Sequence, residues 1–174
     1  MAVHDRFDRP LTNLRISLNS GCNLRCIYCH REGECRPEEP MPLSDIREIL
    51  LVARRLGIRS VKFTGGEPLL RRDIVEVIRA VPPGIESSMT TNGTLLSGLA
   101  ADLKEAGLSR VNISLDSLRP ETYQRVTGTG LLDDVLSGID AAKKAGLVPI
   151  KINMVLLKGI NEDEIEAFIS LVSD

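Results

Sequence analysis

The sequence has no tryptophan, and only two tyrosines, three phenylalanines and two histidines among its 174 residues. So few rings argue against a surface that works by stacking successive nucleic-acid bases. Neither sign of charge dominates: 22 Lys and Arg stand against 24 Asp and Glu, a formal net charge of −2. A chain-wide basic surface for nucleic acid is therefore not expected, although a local basic pocket stays open. Long apolar runs are missing as well. The longest, residues 152–157, is interrupted by Asn153 and is far too short to cross a bilayer. The polar, charged opening MAVHDRFDRPLTN is neither a signal peptide nor an acid-poor transit peptide. A cytoplasmic protein with no membrane or nucleic-acid partner is expected. Cysteine is absent everywhere except between positions 22 and 35, where all four occur. That clustering points to a metal or redox site rather than a spread disulfide framework.

What is present is a regular alternation. Hydrophobic residues make up 43% of the chain and charged residues 26%, enough to bury a core. Strand-like runs fall at 13–18, 60–63, 86–90, 111–115 and 149–156. Helical patterns fall at 45–56 (with Ser44 as its cap), 72–80, 96–106, 120–126, 131–145 and 162–172. Five βα units in series imply an α/β domain with a parallel sheet, helical cover and right-handed crossovers. In such arrays ligands collect at the carboxyl ends of the strands. The distinctive residues fall there. They are the cysteine loop after strand one, Gly65-Gly66-Glu67-Pro68 after strand two, Thr91-Asn92-Gly93 after strand three, and Ser114 with Asp116 at the end of strand four.

The spacing Cys22-x-x-x-Cys26-x-x-Cys29 supplies three soft thiolates. Three thiolates can hold three corners of a four-iron cluster and leave one iron open to another ligand. Spacing alone leaves two alternatives. One is zinc, held with His30 or Cys35 as a fourth ligand, and the other is disulfides in any of three connectivities. The neighbouring Gly-Gly-Glu-Pro turn favours the cluster.

The stretch from Leu14 through Cys22, Cys26, Tyr28 and Cys29, together with residues 65–68, resembles the radical S-adenosylmethionine superfamily. Within it the chain resembles the GTP 3′,8-cyclases of molybdenum cofactor biosynthesis. The run Cys29-His-Arg-Glu-Gly-Glu34 is similar to their archaeal branch. The likeness continues through Thr90-Thr-Asn-Gly93, Asn112-Ile-Ser-Leu-Asp116 and Lys151-Ile-Asn-Met-Val155.

The resemblance implies a partial (β/α) TIM-like barrel, with about five βα units present of an expected six. It implies that Cys22, Cys26 and Cys29 ligate one [4Fe–4S] cluster, whose open iron chelates S-adenosylmethionine. An electron donor then reduces the cluster, and the cofactor is cleaved to methionine and a 5′-deoxyadenosyl radical. Protein groups mainly position such a reaction and keep water away. Gly66 would let backbone approach the cofactor, Glu67 would meet its ammonium group, and Tyr28 would lie by its adenine. Ser114 and Asn153 complete the cofactor-binding set.

GTP as substrate requires local basic groups in an acidic protein. Arg15, Lys62 and Lys151 each lie between apolar strand neighbours, so each points away from them. With Thr90 they form the expected GTP contacts. Arg71 and Arg72 offer either further phosphate contacts or a solvated helix end. Residues 128–130 read as a loop, Cys35 as a free thiol, and the charged run 31–39 as solvated surface.

The resemblance also implies a sixth βα unit, a second cluster on a C-terminal cysteine set and a Gly-Gly tail. None of these occurs before Asp174, so a truncated core domain spanning 1–174 is expected, with cyclisation by this length alone in doubt. The rival readings are a radical enzyme acting on another substrate, such as a peptide, and a non-enzymatic zinc-stabilised binding module.

Overall fold

The computed structural model describes residues 3–30 and 40–173; Cys35 and the run 31–39 lie outside them. Five strands form one parallel sheet: β1 (Asn13–Ser17), β2 (Ser60–Thr64), β3 (Glu86–Thr91), β4 (Arg110–Ser114) and β5 (Lys151–Asn153). Their spatial order is their order in the chain. Every crossover thus advances one strand in the same direction, and the helices gather on one side. They are α1 (Leu43–Arg55), α2 (Ile74–Arg79), α3 (Ala100–Glu105), α4 (Pro120–Thr127), α5 (Leu132–Ala145) and α6 (Ile165–Ser173). This is the winding of a (β/α) barrel, as expected, rather than of a doubly wound sheet.

Alternation along the strands sorts the side chains. Ile16, Val61, Phe63, Met89, Val111 and Ile113 turn to the helices and are buried there with Ile46, Leu50, Val77, Leu103 and Val135. The opposite face carries Asn13, Arg15 and Ser17 from β1 and Ser60, Lys62 and Thr64 from β2. It continues with Glu86, Ser88 and Thr90, then Arg110, Asn112 and Ser114, then Lys151 and Asn153. No apolar side chain stands among them.

Several boundaries differ from expectation. Ser44 lies inside α1, and its hydroxyl donates to Asp45 instead of capping the helix; the N-cap position is Pro42. The helix expected over 96–106 is a 3₁₀ turn at Leu96–Gly98 followed by α3, with Leu99 at φ −123° between them. The strand expected over 149–156 is only three residues long. Beyond Asn153 the Val155 N–H donates to the Asp116 side chain (2.9 Å) rather than to β4 backbone, so the chain leaves the sheet. Arg71 is neither solvated nor free for a ligand. It is 7% exposed, pairs with Asp73 at 2.7 Å and donates to the Leu18 carbonyl (3.3 Å).

Candidate active site

The turns at the carboxyl ends of β1, β2, β3 and β4 lock onto one another. Gly66 N–H donates to the Asn19 carbonyl (2.9 Å) and Glu67 N–H to the Gly21 carbonyl (2.8 Å). The Asn19 amide returns a bond to the Glu67 carbonyl (2.8 Å). A Cβ on Gly66 would collide with the Ser20 and Gly21 carbonyls, and one on Gly65 with Asn19. These glycines were expected for close approach to a ligand. In the structure the close approach is to the backbone that leads into Cys22.

Glu67 is wholly buried. Its carboxylate accepts from Leu69 N–H (3.0 Å), the Thr91 hydroxyl (2.7 Å) and Asn92 N–H (2.7 Å). Burial pushes its pKa up, and those three bonds oppose the shift. The residue expected at a cofactor ammonium also braces the ends of β2 and β3. Asn92 extends that brace: its amide donates to Asn23 Oδ1 (2.8 Å) and lies 3.9 Å from Cys22 Sγ. The Asn23 amide donates in turn to the Thr94 hydroxyl (2.9 Å). Asn92 belongs to the visible Thr-Asn-Gly motif, whereas nothing in the sequence marks Asn23 as its partner.

The cysteine loop rests on the end of α4. Arg25 and Ile27 N–H groups donate to the Thr127 (2.8 Å) and Val126 (2.9 Å) carbonyls, which the last turn of a helix leaves without intrahelical donors. The Thr129 hydroxyl donates to the Asn23 carbonyl (3.1 Å). Gly128, at φ 79°, lies so close to Arg25 that a Cβ there would stand 3.2 Å from its carbonyl oxygen. Residues 128–130 are the loop that was expected, and they support the cysteine loop.

Cys22 and Cys29 are exposed, Cys26 is half-buried, and none of the three forms a disulfide. Burial pushes the Cys26 thiol up to about 11, with Asp116's charge adding to the shift, and burial also raises Cys22. Among the described residues no group of three or more His, Cys, Asp or Glu stands in metal-holding geometry. The loop brings the three sulfurs to one mouth but not to one centre. Tyr28, between two of them, donates its hydroxyl to Asp116 Oδ2 (2.7 Å). Burial and then that bond push the phenol's pKa up.

The remaining expected residues share the polar face of the sheet. Arg15 stands beside Lys62 in register, Thr90 beside Asn112, Asn112 beside Lys151, and Ser114 beside Asn153. Arg15, Lys151 and Asn153 are exposed; Lys62, Thr90 and Ser114 are half-buried. Among the described residues Arg15, Lys62 and Lys151 have no acidic partner, whereas Arg110 on the same face pairs with Glu86. Asn112 was not singled out. It is 5% exposed, and its buried Oδ1 accepts no hydrogen bond among the described residues.

A parallel βα array wound in one direction, with a thiol-bearing loop at the carboxyl ends of its strands, has the architecture of a barrel enzyme. Residues 16–172 match the Radical SAM superfamily, and the chain belongs to it. It is 56% identical over 162 residues to a protein of Pyrococcus abyssi named "Probable GTP 3',8-cyclase", covering 92% of this chain and 53% of that one. A protein of the same name from Methanocella arvoryzae is 51% identical over 169 residues, covering 97% and 55%. The chain thus spans about half the length of the curated relatives it matches. The solved structure of anSMEcpe with bound AdoMet superposes with a TM-score of 0.74 over 94% of this chain and 49% of that one. At 22% identity it shows the shared fold.

Members of this superfamily use a [4Fe–4S] cluster and S-adenosylmethionine. The residues present fit that pair by donor chemistry. Three free soft sulfurs lie on one braced loop, beside the polar strand ends.

Proposed function

We propose that the chain is the core portion of a radical S-adenosylmethionine enzyme that acts on GTP, the GTP 3′,8-cyclase of molybdenum cofactor biosynthesis. The observation that carries the substrate is the adjacent pair Arg15 and Lys62, which has no acidic partner among the described residues. Parallel neighbours lie about 4.8 Å apart, so two cations in register without a carboxylate repel each other. A multiply charged phosphate on this face relieves that repulsion, and Lys151 adds a third cation from the other side of Asn112. Thr90 and the unpartnered Asn112 acceptor offer neutral polar contacts between the cations.

In this reading Cys22, Cys26 and Cys29 hold the cluster as thiolates. Tyr28, Gly66, Glu67, Ser114 and Asn153 surround S-adenosylmethionine. Once bound, this pair supplies one-electron cleavage and hydrogen-atom abstraction. The chain's own residues bind the triphosphate, orient the ribose and keep water from the reacting face. Glu67 acts mainly through the turn it braces, since its carboxylate oxygens already accept three bonds.

Calorimetric titration tests the substrate. GTP is expected to bind more tightly than guanosine, and Arg15→Ala is expected to weaken GTP about ten-fold while leaving guanosine unchanged. Equal binding of GTP by the variant and the parent chain rejects the assignment. Anaerobic loading with iron and sulfide tests the centre. A paramagnetic signal that changes on adding S-adenosylmethionine supports the reading, and stoichiometric zinc without such a signal overturns it.

A further inference from the structure

The two halves of the cysteine loop are held differently. The first half has several anchors. Arg25 and Ile27 donate to the end of α4, Thr129 donates to the Asn23 carbonyl, and Asn92 donates to the Asn23 amide oxygen. The second half carries Cys29 and has one tether among the described residues. Among the described residues, the only hydrogen bond from positions 28–30 to anything outside the loop runs from the Tyr28 hydroxyl to Asp116 Oδ2, at 2.7 Å. Cys29 N–H closes a turn on the Cys26 carbonyl (3.0 Å), which shapes the segment without fixing its place in the molecule.

Asp116 is well suited to hold that tether still. It is 3% exposed, and its second oxygen accepts from Val155 N–H at 2.9 Å. Its backbone carbonyl accepts from the buried Asn161 amide at 2.7 Å, and that same amide also donates to the Val155 carbonyl at 2.9 Å. A carboxylate held from both sides has little rotamer freedom left, and its bond to Tyr28 is charge-assisted.

We propose that Asp116 is a positioning residue. Through the Tyr28 hydroxyl it holds the 26–29 turn, and hence Cys29, in a fixed place over the end of β4. Through Val155 it ties that place to the end of β5. The proposal goes beyond the assignment of the thiols as ligands, because it concerns where the loop stands before anything binds.

Amide hydrogen exchange of the metal-free chain, read by mass spectrometry over residues 22–30, tests it with Asp116→Asn, Tyr28→Phe and the double variant. Both single variants keep side-chain volume and are expected to speed exchange at 26–30 about ten-fold. The double variant is expected to add nothing to Tyr28→Phe, because Asp116→Asn acts only through the one charge-assisted bond that the phenylalanine has already removed. Ser117→Ala is the control. Its hydroxyl donates to Glu164 at 2.7 Å in the same turn, with no link to Tyr28. That variant is expected to lower the thermal midpoint and leave 26–30 unchanged. After iron and sulfide loading, iron retained per chain is expected to fall equally in both single variants.

The proposal is overturned if Tyr28→Phe exchanges like the parent chain. It is also overturned if Asp116→Asn speeds exchange everywhere in step with its loss of thermal midpoint, or if the two changes add. If the parent chain takes up no cluster, the proposed function fails, and the exchange comparison still decides the role of Asp116.

Discussion

The two faces of the sheet follow opposite rules. On one, Phe63, Met89, Val111 and Ile113 are wholly buried under helices, and apolar contact accounts for their position. On the other, Arg15, Lys62 and Lys151 share a polar surface with Thr90, Asn112 and Ser114. Parallel sheets are ordinarily covered by helices on both sides. A face of polar residues buries little apolar area, and its residue choices are free to answer to a ligand. The brace of Glu67, Asn92 and the cysteine loop sits where the two faces meet, at the carboxyl ends of the strands.

The sharpest way to break the contrast is a cavity on the covered face. Phe63→Ala is expected to cost about 3–5 kcal/mol of stability in denaturant unfolding. A cost near zero would mean that the covered face is not the core.

The brace comes next. Glu67→Gln keeps the shape but turns an amide N–H toward the Asn92 N–H, leaving a buried donor unmatched. A loss of about 1–3 kcal/mol is expected. The variant should also free the 22–23 segment, read as faster Cys22 alkylation. Unchanged unfolding would show that the buried carboxylate is not needed as an acceptor.

On the polar face the expected effect on stability is smallest. Lys62→Ala should change unfolding by less than about 0.5 kcal/mol, or raise stability slightly by relieving Arg15. The same variant should weaken GTP in calorimetry. A large loss of stability without a loss of GTP binding would make Lys62 a structural residue.

The thiols give a pH test. The folded metal-free chain holds the Cys26 proton up to about 11 instead of the ordinary 9.0. The folded state thus binds this proton more tightly than the unfolded state does. Its contribution to stability is fully present below about pH 9 and is lost as pH rises toward 11. Cys26 alkylation should keep accelerating past pH 9, and loading the loop should release protons. A rate that levels off near pH 9 contradicts the assigned burial.

Much of the fold was legible because two periodicities suffice for it. Apolar alternation marked β1, β2 and β4, and helical stripes marked α1 and α5. Boundaries set by single side chains were not legible. Ser44 looked like a cap but lies within the helix, and β5 stops early because the Asp116 side chain takes Val155 N–H. At the site, the cysteines, the glycine pair and the three cations could be picked out by residue type and spacing, and Tyr28 by the family resemblance. Their partners could not. Arg71 read as either a phosphate contact or part of a solvated helix end, and it is a buried strut to the Leu18 carbonyl, because the turn after β2 folds back on the end of β1.

The sequence by itself determined the order of the βα units, which strand residues face away from the helices, and that three thiols share one loop. These depend on local spacing, which a chain carries without being folded. Only the tertiary structure decided that Arg15 lies beside Lys62, that Glu67 joins two strand ends, and that Asp116 reaches Tyr28 across 88 positions. Those pairings depend on strand register and on how loops cross. Both are settled when the whole apolar face is buried at once and each buried polar group finds a partner.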